Sequence, residues 1–357
     1  MHFRHLLSGF DTIECAYYLA KRSASSLDFA ALEAEKASLK LAKAKHPKPI
    51  KLGSEEFLLA NHGTGSGFPL LLENDAFSIQ CGEFNKPNFF VTYRSFALWH
   101  HGAMGLHQRF LAWADSVGLE PYRQESLSRV DFTFDYWIDA IDFDEDSFVT
   151  SAVKDAQHRK HGKVQTFSFG TSPIVLRVYD KSAEIAEKSG KTWFHPLWGG
   201  QQENVWRIEW EVRKAILRFK GIRTFADLED GQGDVLRGFL DSGASLRIKT
   251  QDSNRSRWPL HPLWADLTQR VEALNCLGVV RECDPLAPLD ERMLQIGVAV
   301  YGYLKRVAAI HGLQRGKQEI SKDDALYRLG WLMDRLHDPL TWDIDVQRRM
   351  NEMRLGM

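Results

Sequence analysis

An α+β fold, with a central antiparallel sheet flanked by helices and a helical region at the C-terminal end, is predicted by three observations. Residues 129–138 (RVDFTFDYWI) and 205–214 (VWRIEWEVRK) alternate apolar and polar with period two, the mark of strands with one buried and one polar face. Shorter strand-like runs separated by Gly, Asn and Pro precede them. Beyond about residue 260 the alternation gives way to helical periodicity.

Taken in order, residues 10–19 read as a short strand. Residues 26–45, rich in Ala, Leu, Glu and Lys without Gly or Pro, read as a helix that HPKPI at 46–50 breaks. Residues 57–60, 70–73, 77–80 and 89–94 are expected as successive strands. Residues 103–117 form an amphipathic helix with Met104, Leu106, Phe110, Leu111, Trp113 and Ala114 clustered on one side. In 129–138, Val130, Phe132, Phe134 and Tyr136 face one way, and Arg129, Asp131, Thr133 and Asp135 the other. Residues 165–169 and 174–181 make a hairpin across Gly170 and Pro173. In 205–214, Trp206, Ile208, Trp210 and Val212 oppose Arg207, Glu209, Glu211 and Arg213. Helices are expected over 263–274, 291–311, 322–336 and 343–355. Ser321 caps the third, with Asp324 three residues on. The polar stretch 251–259 serves as the linker between a domain of residues 1–250 and a helical region of residues 260–357.

A chain of 357 residues holds one large domain or two ordinary ones. The net charge of -1 removes any global attraction to nucleic acid, so such contact must come from a local patch. Cys15, Cys81, Cys276 and Cys283 form no CxxC pair, and no histidine pair accompanies Cys276 and Cys283. That spacing argues against structural zinc and fits a reducing cytoplasm. The opening MHFRHLLSGFDTIEC has no uninterrupted apolar stretch, so no signal peptide is expected. No apolar run is long enough to span a membrane.

Three constellations carry chemistry. Asp131 and Asp135 share one strand face, and Glu209 and Glu211 share another. If the two strands are neighbours, the carboxylates converge, and a hard divalent cation, Mg2+ or Mn2+, would relieve their repulsion. A solvated face with Arg129, Arg207 and Arg213 as ion-pair partners explains the same residues without metal. Next, Arg177, Tyr179 and Lys181 share a face opposite Ile174, Leu176 and Val178. Flanking cations would stabilise a phenolate and attract a phosphate, and a phenolate attacks phosphodiesters. An amphipathic strand tyrosine with basic neighbours is the bland alternative. Last, residues 205–223 hold six Arg or Lys against two Glu, with aromatics interleaved. Together with His158, Arg159, Lys160, His161 and Lys163, they could track a DNA backbone and stack unpaired bases. GTGSG at 63–67 lacks the Lys-Ser/Thr ending of a phosphate loop and reads as a hairpin turn. His100 and His101 have neither HxH spacing nor an obvious carboxylate partner.

The order RVDFTFD (129–135), FSFGTSPIVLRVYDKSAE (167–184), WRIEWEVRK (206–214) resembles the replication initiation factor family, also called Rep-trans. The likeness covers roughly residues 5–225. That resemblance implies an HUH-like fold whose metal site uses carboxylates instead of histidines. It implies nicking by Tyr179 with Arg177 and Lys181 beside it, metal ligands Asp131, Asp135, Glu209 and Glu211, and Glu184, Arg207 and Arg213 around them. Thr92 stands where some members carry a glutamate. Arg207, Arg213, Lys214 and Arg218 are the expected DNA contacts. The implied activity is rolling-circle initiation, with a 5′-phosphotyrosine intermediate and a free 3′-hydroxyl. Origin DNA, a host helicase and a second copy of the chain are the expected partners. A mobile-element relaxase, a hydrolytic metal nuclease and a non-catalytic origin-binding regulator are the competing readings.

Overall fold

The computed structural model describes residues 1–44, 46–160, 163–274 and 287–354. Cys276 and Cys283 lie outside them, as does His161. In chain order the first compact unit contains β1 (Phe3–Lys21), α1 (Phe29–Leu41), β2 (Lys48–Leu52), β3 (Glu55–Leu59), β4 (Leu70–Glu73), β5 (Phe77–Cys81), β6 (Phe89–Tyr93) and α2 (Ser95–Ser116). It continues with β7 (Leu119–Ile138), β8 (Phe148–Thr150), β9 (Asp155–Lys160), β10 (Lys163–Phe169), β11 (Ile174–Asp180), α3 (Lys181–Glu184), a π turn (Ile185–Ser189) and α4 (Phe194–Leu197). β12 (Val205–Arg213), α5 (Lys214–Phe219), α6 (Phe225–Ser242), β13 (Ala244–Leu246) and α7 (Pro262–Glu272) complete it. The second unit holds α8 (Ala287–Arg315), α9 (Lys322–Leu336) and α10 (Trp342–Arg354).

Eleven strands form one sheet in the order β2-β3-β4-β5-β6-β1-β7-β12-β11-β10-β9, and its neighbours pair antiparallel. β8 and β13 pair separately. The period-two strands behave as the alternation predicts. Val130, Phe132, Phe134 and Tyr136 join Trp206, Ile208, Trp210 and Val212 in the core. Phe110 of α2, Phe225 of α6 and Trp264 of α7 pack there against Tyr17, Tyr93 and Trp210. On the opposite face a smaller apolar cluster is built from Ile185, Phe194, Trp198 and Val205, with Leu7, Trp99 and Trp193 against it.

α2 kinks at Gly102, whose φ of 71° and ψ of 163° suit glycine. Before the kink Ala97 and Leu98 enter the core while Trp99 meets Phe194; after it Leu106, Phe110 and Trp113 enter the core. The helix therefore starts at Ser95, eight residues before the sequence expectation. β1 and β7 are likewise longer than expected, at 19 and 20 residues. HPKPI ends a helix but also enters the edge strand β2. α6, with Gly231, Gly233 and Gly238, was not expected; a capping box between Thr224 and Asp227 opens it. Ser321 does cap α9, accepting from the Asp324 amide.

The first compact unit does not end at the 251–259 stretch but runs on through α7. α7 buries Leu263, Trp264, Leu267 and Val271 in the core of the first unit, so this helix belongs with the sheet. The linker expected at 251–259 is polar but fastened. Arg255 donates to the Phe148 carbonyl at 2.8 Å, and Trp258 Nε1 donates to the Asp252 carbonyl at 2.7 Å. Among the described residues no helix is long and apolar enough to cross a membrane.

Candidate active site

β1, β7, β12 and β11 lie side by side, and their register sets the polar face in rows. One row aligns Glu14, Arg129 and Arg213; the next aligns Thr12, Asp131 and Glu211. Gly9, Thr133, Glu209 and Arg177 form a third, and Leu7, Asp135, Arg207 and Tyr179 a fourth. Directly opposed residues in an antiparallel pair share a face, so the convergence expected of Asp131, Asp135, Glu209 and Glu211 is realised. Asp11 joins them. It is the extra residue between the pairs Phe10–Phe132 and Thr12–Asp131, a bulge that turns its carboxylate onto this face.

Guanidinium groups occupy the carboxylates. Arg129 forks onto Asp131 at 2.8 and 2.7 Å and reaches Glu211 at 3.3 Å. Arg177 bridges Glu209 at 3.1 Å and Glu211 at 2.9 Å. Arg213 donates to Glu211 at 2.8 Å and approaches Glu14 at 3.4 Å. Arg207 grips Asp135 at 2.6 and 2.8 Å and Asp11 at 2.7 Å. Three of these four arginines are the ion-pair partners named by the metal-free reading of the sequence.

Arg207 corrects an expectation. Its side chain and that of Asp135 have 0% exposure, so Arg207 is a buried structural cation and not a contact for a DNA backbone. Asp135 is also removed from the expected metal ligands in this arrangement. Its oxygens are taken by Arg207 and by Trp198 Nε1, which donates at 2.9 Å. Removing one partner of such a buried pair costs about 3–5 kcal/mol. Arg207 is held charged: burial opposes its charge, and Asp135 and Asp11 outweigh that. Asp11 is held well below the usual carboxylate range, because Arg207, Lys191, Lys181 and the Ser95 hydroxyl together overcome its burial.

Tyr179 is half-buried, and its hydroxyl donates to Glu209 Oε2 at 3.0 Å. Burial first, then Glu209, push the phenol well above its ordinary value, against the pull of Arg207. The resting group is therefore a phenol beside a base and not the cation-stabilised phenolate expected from Arg177 and Lys181. Arg177 points its donors at Glu209 and Glu211. Lys181 opens α3, is buried, and sits with Nζ 5.7 Å from the Tyr179 ring centroid and 2.7 Å from Glu184. Burial and Arg207 lower its pKa.

Magnesium or manganese would find hard oxygens here, but the four expected ligands do not fit an ion as they stand. Asp135 is consumed, and Asp131, Glu209 and Glu211 each answer to a guanidinium. Among the described residues no group of three or more His, Cys, Asp or Glu side chains is arranged to hold a metal. Beside Thr92, the cross-strand partner on β1 is Glu14, so the acid of that row comes from the neighbouring strand.

Arg213 is half-exposed at the N-cap of α5, and Lys214 and Arg218 are half-buried on that helix. In the other expected basic tract, on the edge strand β9, Lys160 pairs with Glu187 at 2.7 Å and Arg159 approaches Glu145 at 3.8 Å. Asp11, Glu14, Ser95, Lys191 and Trp198 were missed from the sequence. The acidic residues on β1 were the available signal, but Asp11 and Glu14 are three apart and strict alternation places them on opposite faces.

No protein-family model matches this sequence, and no curated protein matches it. Among solved structures, the rolling circle replication initiator protein from Geobacillus stearothermophilus aligns with a TM-score of 0.47 and 16% identity, over 77% of this chain and 98% of that one.

Proposed function

We propose that this chain is an HUH-like DNA nickase that starts rolling-circle replication, with Tyr179 as its nucleophile. The observation that carries the reading is the hydrogen bond from the Tyr179 hydroxyl to Glu209, beside Arg177, on the face where the motif order of the sequence expected them. A phenol with a raised pKa needs a base in contact to attack at neutral pH, and Glu209 is that base. The phenolic oxygen bonds to phosphorus, its proton passes to Glu209, and the 3′-oxygen leaves and takes a proton from water. The product is a 5′-phosphotyrosine and a free 3′-hydroxyl, and the reverse reaction reseals the strand. Arg177 supplies positive charge next to the reacting phosphate. Arg213, Lys214 and Arg218 remain the proposed DNA contacts; Arg207 acts from beneath by fixing Asp11 and Asp135. A requirement for Mg2+ or Mn2+ stays part of the proposal without assigned ligands. Origin DNA, a host helicase and a second copy of the chain are its proposed partners.

The test uses full-length protein and a Tyr179→Phe variant on a supercoiled plasmid carrying the DNA that flanks the coding sequence, with Mg2+, Mn2+ or EDTA. Denaturing gels are expected to show protein joined to a 5′ end for the wild type and none for the variant. Cleavage that persists in the variant without an adduct would replace this reading with a hydrolytic nuclease. Binding without cleavage under either metal would replace it with a regulator.

A further inference from the structure

A second group of side chains stands beside the candidate active site and takes no part in the chemistry above. Phe96 and His100 are one turn apart on the pre-kink segment of α2, with ring centroids 4.1 Å apart. Trp193, from the connection between the π turn and α4, comes to 5.4 Å from Phe96 at an interplanar angle of 88°, and to 6.1 Å from His100. Three rings from two distant segments thus form a corner. It is accessible: Phe96 is 43% exposed, His100 is exposed and Trp193 is half-buried.

The corner is wired to the site through short contacts. Trp193 stacks on Phe194 at 4.0 Å, Lys181 Nζ lies 5.4 Å from the Phe194 ring, and the same Nζ lies 5.7 Å from the Tyr179 ring. Lys191, two residues before Trp193, reaches Asp11 at 3.5 Å, and Ser95, next to Phe96, donates to the same carboxylate at 2.8 Å. The corner itself consists of two aromatic rings and an imidazole, and the cation Lys191 stands two residues before Trp193. An aliphatic helix face would find little to interlock with there. A flat π-system on a phosphate chain finds both the rings and the charge.

We propose that Phe96, His100 and Trp193 are a stacking corner for an unpaired nucleobase next to the phosphate that Tyr179 attacks. The inference rests on the nickase reading and adds to it that the substrate strand is unpaired at this position. Splaying one base onto the corner fixes the strand's path over the carboxylate face. Stacking accepts any base, so the corner contributes single-strand preference and not sequence choice.

The test measures binding by fluorescence anisotropy in EDTA, where cleavage is not read. Full-length wild type, Trp193→Ala, Trp193→Phe and Tyr179→Phe are titrated with a labelled mixed-sequence single strand and with the same sequence as a duplex. Trp193→Ala is expected to weaken single-strand binding roughly tenfold or more, with duplex binding and the slope of log K against log salt unchanged. Trp193→Phe is expected to recover most of the loss, since a phenyl ring still offers a stacking face. Thermal melts of each variant identify misfolding, and Trp193→Phe keeps the test alive if Trp193→Ala unfolds. Equal losses for single strand and duplex, no loss in Trp193→Ala, or no single-strand binding by the wild type would each overturn the corner. The Tyr179 adduct assay fails or succeeds separately, so the two readings are told apart.

Discussion

Asp131 is pulled in two directions. Arg129 forks onto it, which favours the charged form, yet burial, with Glu209 and Glu211, outweighs that and raises its pKa to about 7. A carboxyl whose folded value lies above its unfolded one binds its proton more tightly when folded. Its contribution to stability is therefore present below about pH 4 and is lost as the pH rises toward 7. Asp131→Asn keeps the shape and removes the charge. It is expected to raise the melting temperature by roughly 2–5 °C at pH 8 and to change it little at pH 5, as read by circular dichroism. A lower melting temperature at pH 8 would show that the Arg129 pairing dominates. At this scale the sequence was informative about which residues share a face within a strand, Asp131 with Asp135 and Glu209 with Glu211, while the pairing that brings those strands and Tyr179 together came from the fold. It was silent on Asp11, where a bulge breaks the parity. It was silent also on the burial of Arg207, whose guanidinium lies 4.6 Å from the ring centroid of Phe194, in a stretch with a Pro and two Gly and no periodic signal.

Among the elements, β1 and α2 determine how the site is walled. Gly9 lies in the row of Glu209, and a Cβ there would stand 2.7 and 2.9 Å from ring atoms of Trp99. The indole is packed against Phe194, so it cannot simply swing away. Gly9→Ala is expected to cost about 1–3 kcal/mol in urea unfolding, as overpacking does, and, on the proposed nickase reading, to slow nicking by shifting the segment that carries Ser95. An unchanged urea midpoint with full nicking would show that the wall is pliable. Strands were the legible elements: the β10–β11 hairpin and β12 match expectation to within two residues. α6 was hidden because three glycines depress its propensity, although Thr224 followed by Asp227 was a readable start. The first segment of α2 was hidden because Gly102 masks its continuity with the amphipathic run that follows.

For the whole molecule, the place where the sheet-bearing unit ends decides what can fold alone. Leu263, Trp264, Leu267 and Val271 are each buried, and each such side chain contributes about 1.5–3 kcal/mol. Their sum is comparable to the stability of an ordinary domain. A chain ending at residue 280 is expected to unfold cooperatively in urea, and one ending at residue 259 to lose that transition. Equal midpoints for the two would remove α7 from the core. The polar composition of 251–259 suggested a linker, but composition does not record that Arg255 reaches the Phe148 carbonyl and that the Trp258 carbonyl accepts from Arg247.

The sheet never closes on itself, and β2 and β9 are its outermost strands. β2 consists of Lys48, Pro49, Ile50, Lys51 and Leu52. Proline offers no N–H and the lysines repel their own kind, so the strand that broke the first helix also guards the margin of the fold. Were Lys48, Pro49 and Lys51 exchanged for threonines, the β2 edges of two molecules could zip margin to margin and join two sheets into one.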